Sequence, residues 1–138
     1  MKWAVEFHVP DCLLLIRDVN LRYGHEIGDA VLVEVSKILR NSVREIDMPA
    51  RWGGEELVAV LHETDVEGAT TVAERVRRKV QMLEIKDPRS GKLISLTASL
   101  SVASCPKHSC DPHGLLEAAC EGMIDAKERG GNVVVVAY

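Results

Sequence analysis

The sequence predicts an α+β domain in which helices pack on one mostly antiparallel sheet of about five strands. Segments with apolar residues at alternate positions, typical of strands, are interleaved with segments whose apolar residues recur at helical spacing. The chain has 138 residues, which suits one domain without a linker or an internal repeat. Hydrophobic residues make up 46% of the chain and aromatic residues only 4%, so the predicted core is aliphatic.

The first half of the chain predicts a strand, a short helix with a loop, a long helix and a hairpin. Val5, Phe7 and Val9 share one face at period two, and Pro10 with Asp11 marks the end of this strand. The turn formers that follow favour a loop after the short helix. The predicted elements are the strand at 3–9, the short helix and loop within 13–29, the long helix from Gly28 to Val43, and the hairpin strands at 50–52 and 56–61.

The second half predicts two helices that alternate with two strands. Apolar residues at helical spacing indicate the helices, and alternating apolar and polar residues indicate the first strand. Gly130-Gly131 is a usual helix stop. The predicted elements are a helix at 69–83, a turn at 87–92, a strand with one polar face over 94–102, a helix that begins at Asp111 or Pro112, and a buried strand at 133–136.

The charge balance argues against two classes of partner. The formal net charge is −4 and the pI is near 5.7, so nucleic acid or an anionic membrane is not expected as the main partner. A small phosphate ligand remains compatible, because it needs only a few local cations. No apolar run approaches the roughly 18 residues typical of a membrane span, and the N-terminus does not resemble a secretory signal.

The chain contains four cysteines: Cys12, Cys105, Cys110 and Cys120. Their spacing makes no obvious disulfide framework, so a reducing cytosol is the predicted location. The CPKHSC segment and His113 offer possible zinc ligands, but the spacing is not that of a usual zinc knuckle. Loop cysteines with surface histidines are the favoured interpretation, and Cys120 suits a small core position.

Two adjacent glutamates, Glu55 and Glu56, follow the Gly53-Gly54 turn within RWGGEEL. Neighbouring carboxylates repel each other, and Mg²⁺ is usually held by one or two carboxylates together with substrate phosphates. The pair therefore suggests a divalent metal site at the tip of the hairpin. A charged, solvated turn is the alternative.

The RWGGEEL segment resembles the signature of GGDEF domains, the catalytic domains of diguanylate cyclases, with Leu57 in place of the signature Phe. Three further segments are similar to family motifs in the same order: NLRYGHEIGD at 20–29, LTASLSVA at 96–103 and LLEAACEGMIDAKERGGN at 115–132. The resemblance covers nearly the whole chain. It implies a ferredoxin-type sheet like that of polymerase palms and nucleotide cyclases.

The resemblance also implies a reaction and its participants. Family members join two GTP molecules into cyclic di-GMP and release two pyrophosphates, with each domain of a homodimer holding one GTP. Mg²⁺ or Mn²⁺ is the implied cofactor, because metal ions neutralise the phosphates during such a transfer. A bacterial, cytoplasmic signalling protein is implied, whose sensory domain lies outside this chain.

The resemblance assigns roles to eight residues of a substrate site. Amide and carboxylate groups can pair with the guanine edge, glycines admit phosphates close to the backbone, and basic side chains contact the triphosphate. The matched residues are Asn20 and Asp29 for guanine, Gly53 and Gly54 for phosphate approach, Arg17 and Lys127 for phosphate contact, and Glu55 and Glu56 for metal binding and catalysis.

The chain also departs from the family pattern. A metal-binding Asp is expected at the end of the first strand, and a gapless count back from Asn20 puts Cys12 there, beside Asp11. Thiolate is a poor Mg²⁺ ligand, so Asp11 is the candidate that a one-residue insertion would bring into place. Gly131 replaces a phosphate-binding Arg, and the family's N-terminal helix is missing. Three hypotheses follow: an active cyclase, a weak or silent sensor of GTP or cyclic di-GMP, and a dimerisation module.

A second ligand site is implied by Arg44 and Asp47, which form an R-x-x-D motif with five residues between Asp47 and Gly53. At that offset, family members bind cyclic di-GMP as an inhibitor, and Arg75 resembles a further arginine of that site. Arginine can fork onto phosphate and Asp can accept from guanine. The alternative is a solvated helix end.

Overall fold

The computed structural model describes residues 9–17, 25–51, 56–87, 89–105 and 107–137, except for the side chains of 25–29, 48 and 94. The strand expected at 3–9 and the loop around residue 20 therefore fall almost entirely outside the described residues. The elements are β1 Asp11–Arg17, α1 His25–Ser42, β2 Met48–Arg51, β3 Leu57–Leu61, α2 Val66–Gln81, β4 Glu84–Lys86, β5 Leu93–Ser95, β6 Ser99–Cys105, α3 Pro112–Glu128 and β7 Val134–Val136.

Five strands form the main sheet in the order β2-β3-β1-β6-β7. Every neighbouring pair is antiparallel except β6 and β7, which α3 connects as a crossover between parallel strands. Strands β4 and β5 form a separate antiparallel pair. The arrangement confirms the predicted α+β class, with three helices on a mostly antiparallel sheet.

The central strand β1 corrects the short helix expected after residue 13. Leu14 and Ile16 pack toward α1 and α2 on one face, whereas Leu13 and Leu15 pack toward α3 on the other. All four side chains are fully buried. The sequence of β1 shows neither helical nor alternating spacing of apolar residues. A strand covered on both faces needs apolar residues at every position, so its pattern does not distinguish it from a short helix.

The strand predicted over 94–102 is divided in the structure. Its first residues form β5, which pairs with β4 around the predicted turn at 87–92, residues 96–98 belong to neither strand, and the last residues belong to β6. The polar face of β6 is buried, since Ser99 and Ser101 are 1% and 0% exposed. Gly122 lies so close to Ser101 that a Cβ there would overlap the serine Oγ. Small polar side chains here permit close approach of α3, an arrangement that alternation alone does not reveal.

Helices α2 and α3 begin at aspartate caps. The Asp65 carboxylate accepts from the Gly68 N–H at 2.8 Å, and Asp111 accepts from the Gly114 N–H at 3.0 Å. Helix α3 ends before Gly130 and Gly131, whose φ angles of +92° and +75° favour glycine. The boundaries of α3 agree with the prediction, whereas α2 begins at Val66, three residues before the predicted start at Ala69. The final strand β7 is only partly buried, because it lies at the edge of the sheet.

The cysteines differ from the expectation. Cys105 and Cys110 form a disulfide across the loop between β6 and α3. Within that loop, His108 Nδ1 accepts from the Ser104 N–H at 2.8 Å and Nε2 lies 2.7 Å from the Ala137 carbonyl. The loop is thus closed by covalent and hydrogen bonds, and these residues do not form a zinc site. Among the helices described, none has the length and apolar character needed to cross a membrane.

Candidate functional site

The predicted site lies where β1 ends and β3 begins. The antiparallel register pairs Ile16 with Leu57, which brings Arg17 next to Glu56. The Arg17 Nη2 is 2.8 Å from Glu56 Oε1, and 30% and 27% of the two side chains are exposed. The same Nη2 lies 3.5 Å from the Cys120 Sγ on α3. Two strands and a helix therefore fix the position of one guanidinium.

One donor of this guanidinium has no partner among the described residues. The Arg17 Nε is buried and makes no hydrogen bond there. A buried donor without an acceptor is unfavourable by about 1–3 kcal/mol. The site therefore offers an unused N–H group that suits an anionic oxygen.

Asp11 and Cys12 lie at the other end of β1. The strand pairs Cys12 with Leu61, far from Glu56 along β3. At about 3.4 Å per residue, the strand from Asp11 to Arg17 spans roughly 20 Å. The structure does not bring Asp11 together with Glu56, and Arg17, not Cys12, ends the strand. The gapless count fails because the apolar run after Cys12 is itself β1.

Asp11 and Cys12 have structural partners at their own end of the sheet. The Asp11 Oδ1 accepts from the Glu63 N–H at 3.0 Å, and its Oδ2 is 3.6 Å from the His62 Nδ1. The Cys12 Sγ lies 3.2 Å from the Thr64 carbonyl oxygen and donates to it. Burial, together with the nearby carboxylates of Asp65 and Asp11, raises the pKa of Cys12 to about 12. Cys12 is therefore a protonated thiol at neutral pH, with a structural partner in the Thr64 carbonyl.

The other residues expected at the substrate site are only partly described. Asn20, Gly53, Gly54 and Glu55 lie outside the described residues, and Asp29 is described only as part of the α1 backbone. Lys127 is exposed in the last turn of α3. The structure thus brings Arg17 and Glu56 together, and leaves the guanine-binding roles as predictions.

Gly131 has a conformational role of its own. Its φ of +75° lies in the left-handed region, and a Cβ there would come within 3.2 Å of the Ser99 Oγ. An arginine at this position would need a different backbone. The glycine at position 131 is therefore explained by the backbone conformation at the end of α3, close to Ser99 of β6.

The Arg44 and Asp47 pair closes the turn between α1 and β2. Asp47 Oδ2 accepts from the Arg44 N–H at 2.9 Å, and its Oδ1 accepts from the His62 N–H at 3.0 Å. Its side chain is only 3% exposed, whereas that of Arg44 is 53% exposed. The Arg44 guanidinium donates to the His62 carbonyl and, at 2.9 Å, to the Thr64 hydroxyl. Asp47 is thus a buried residue whose carboxylate is engaged by structural partners, and it is neither solvated nor exposed to a ligand.

Arg75 lies on the same side of the molecule as Arg44. Its Nη1 donates to the Ser42 carbonyl at 3.2 Å, and the Lys79 Nζ is 3.5 Å from the Ser42 hydroxyl. Cations suit this position, because carbonyls at a helix C-terminus carry partial negative charge. The end of α1 therefore has the basic side chains of Arg75 and Lys79 beside it, and the second ligand site stays a prediction.

The sequence analysis missed the segment just after β3. His62 and Thr64 provide the contacts that hold Asp11, Asp47, Cys12 and Arg44 in place. The only sequence signal is a polar tripeptide at the end of an apolar strand, which does not specify these partners. Cys120, interpreted as a core residue, also contacts Arg17.

Comparison with known proteins gives matches over most of the chain. Residues 16–133 match a family model described as diguanylate cyclase, GGDEF domain. The response regulator PleD of Caulobacter vibrioides is 36% identical over 119 residues, which cover 86% of this chain and 26% of that protein. Diguanylate cyclase A of Treponema denticola is 36% identical over 121 residues, covering 88% and 32%. The chain therefore spans about a quarter to a third of the length of these curated relatives.

Solved structures give the same result. The GGDEF domain of YfiN from Pseudomonas aeruginosa superposes with a TM-score of 0.83 at 28% identity, covering 95% of this chain and 84% of that one. The diguanylate cyclase SiaD of Pseudomonas aeruginosa, solved with its activator SiaC, has a TM-score of 0.81 at 31% identity. That match covers 93% of this chain and 50% of the SiaD chain.

Proposed function

Because the chain belongs to the GGDEF domain family of diguanylate cyclases, we propose that it binds GTP and condenses two GTP molecules into cyclic di-GMP. The observation that carries the proposal is the continuous family match over residues 16–133. Two copies would meet face to face, each holding one GTP. The domain would serve bacterial signalling in the cytoplasm, with a sensory domain elsewhere in a longer protein.

The proposed substrate site keeps the roles expected from the sequence. Asn20 and Asp29 would read the guanine edge, and Gly53-Gly54 would admit the phosphates close to the backbone. Arg17 and Lys127 would contact the triphosphate, and the unused Arg17 Nε supports that contact. Glu55 and Glu56 remain the proposed catalytic carboxylates.

Diguanylate cyclases of this family depend on metal, and the sequence predicts Mg²⁺ or Mn²⁺ at Glu55, Glu56 and Asp11. The described residues do not fit that site. Glu56 is paired with Arg17, and Asp11 is engaged at the opposite end of β1. Within the described ranges, no group of three His, Cys, Asp or Glu side chains could hold a metal ion.

A second candidate function is a weak or silent domain that senses GTP or cyclic di-GMP. The Arg17–Glu56 ion pair favours it, because it occupies a carboxylate that catalysis would need. Loss of one preorganised stabilising group typically costs about 2.7–4 kcal/mol in the transition state.

The decisive experiment is incubation of the protein with GTP and Mg²⁺, followed by mass analysis of the products. We expect cyclic di-GMP and pyrophosphate, and a strong reduction with Glu56→Gln. GTP binding without product would select the sensor, and absence of both would select a dimerisation module. Equal competition by ATP would contradict the guanine-binding roles of Asn20 and Asp29.

We also propose that cyclic di-GMP binds beside Arg44 and Arg75, with Asp47 holding Arg44 in position. Arg44→Ala should weaken cyclic di-GMP binding about tenfold or more, because a charge-assisted hydrogen bond to phosphate is lost. Calorimetry measures the affinity. Arg89→Ala, which removes an exposed arginine from the turn between β4 and β5, is the matched control. Equal binding by the parent and Arg44→Ala would remove the support for this site.

A further inference from the structure

Arg17 occupies the place that a cation would need in order to bind Glu56. The 2.8 Å separation of Nη2 and Oε1 is that of a charge-assisted hydrogen bond. A metal ion at this oxygen would face the guanidinium at close range, and like charges repel. Arginine does not lose its proton in proteins, so a change of pH does not remove the conflict.

Within the described ranges, no group of three His, Cys, Asp or Glu side chains compensates for this conflict. Asp11 lies roughly 20 Å from Arg17 along β1, and Asp125 on α3 pairs with Arg129 at 3.0 Å. Mg²⁺ is usually held by one or two carboxylates plus substrate phosphates, with near-ideal octahedral geometry. Glu56, already paired with Arg17, is a poor start for such a site.

We infer that the Arg17 guanidinium takes the place of a divalent cation at Glu56, so that this domain binds nucleotide phosphate without metal. The inference rests on the proposed function for the identity of the ligand, GTP. Contacts to β3 and α3 already fix the Arg17 side chain, so little ordering is left for binding. Its buried Nε supplies a donor for a phosphate oxygen while Nη2 stays on Glu56.

Two measurements on the whole chain test the inference. The first is the calorimetric affinity for GTP with Mg²⁺ and with EDTA, and the parent values should agree within about twofold. The second is Mn²⁺ binding without nucleotide, followed by electron paramagnetic resonance. The parent should bind no more Mn²⁺ than Glu56→Gln does.

Variants at Arg17 should reverse both results. Arg17→Ala should weaken GTP binding in EDTA about tenfold or more. It should also gain Mn²⁺ binding, because Glu56 is freed, and Mg²⁺ should then restore part of the GTP affinity. Arg17→Lys keeps the charge and should stay metal-independent, and Arg89→Ala should behave like the parent. If circular dichroism shows that Arg17→Ala does not fold, Arg17→Gln replaces it.

The two outcomes that overturn the inference are GTP binding by the parent that requires Mg²⁺, and Mn²⁺ binding by the parent that Glu56→Gln abolishes. Failure of the proposed function looks different, since the parent would then bind GTP in neither condition. The Mn²⁺ titration still decides the inference in that case. Gain of Mn²⁺ binding in Arg17→Ala relative to the parent supports the inference. Equal Mn²⁺ binding by the parent and Arg17→Ala overturns the inference.

Discussion

Replacing Asp47 with alanine is expected to lower the free energy of unfolding by about 2–6 kcal/mol, because each of two backbone N–H donors that loses its carboxylate acceptor costs about 1–3 kcal/mol. The carboxylate accepts from the backbone N–H groups of Arg44 and His62, and alanine leaves both donors without it. It also removes one of the partners of the Arg44 guanidinium. Urea denaturation of parent and variant measures the difference.

The control for Asp47→Ala is Glu34→Ala, which removes an exposed carboxylate paired with Lys37 at 3.1 Å. That change should alter the free energy of unfolding by no more than about 1 kcal/mol, as for most surface ion pairs. Equal effects of the two substitutions would contradict the structural role of Asp47. The expected loss of stability also means that Asp47 variants are unsuitable for testing cyclic di-GMP binding. Arg44→Ala leaves the buried Asp47 carboxylate without its guanidinium, so its fold is checked by circular dichroism before binding is measured.

The second large effect is a loss of stability at alkaline pH that depends on Cys12. Burial raises the pKa of the thiol from 9.0 to about 12 in the folded protein. Above pH 9 the unfolded chain releases this proton while the folded protein keeps it, so stability falls as pH rises. The stabilisation is complete below pH 9 and lost by about pH 12, and it amounts to roughly 4 kcal/mol at about 1.4 kcal/mol per pH unit.

Cys12→Ala provides the comparison, because it removes this titrating group while other groups that ionise at high pH remain. The parent should be the more stable protein at neutral pH. Its advantage should shrink above pH 9 and change sign as the pH approaches 12. Urea midpoints across this range, converted with the measured slopes, give the difference. A difference that stays constant with pH would show that the folded thiol ionises as readily as the unfolded one.

Much of the fold could be predicted from the sequence, because its signals are local. The aspartate at the start of α3 and the glycines at its end determine the helix boundaries through backbone hydrogen bonds and left-handed φ angles. Strand β1 could not be identified by the same means, since its apolar run carries no periodicity. The burial of Ser101 also depends on a helix that follows later in the chain.

The candidate site was less predictable, because its contacts depend on strand register. Arg17 meets Glu56 only because Ile16 pairs with Leu57. The assignment of Asp11 failed for the same reason, since a count along the chain does not show where a strand begins. The Arg44 and Asp47 pair was found by its offset, but its partner His62 comes 15 residues after Asp47 and is supplied by the fold.

Strand β3 connects the two proposed ligand sites, and its packing limits how they can influence each other. Glu56 precedes the strand and His62 follows it, so the sites lie roughly 20 Å apart. All five strand residues are buried and paired with β1, four of them are also paired with β2, and a slip of one residue would turn every side chain to the opposite face. Allosteric coupling requires an element with two arrangements, and β3 offers one. A change at Arg44 would therefore not reach Glu56 through a shift of β3.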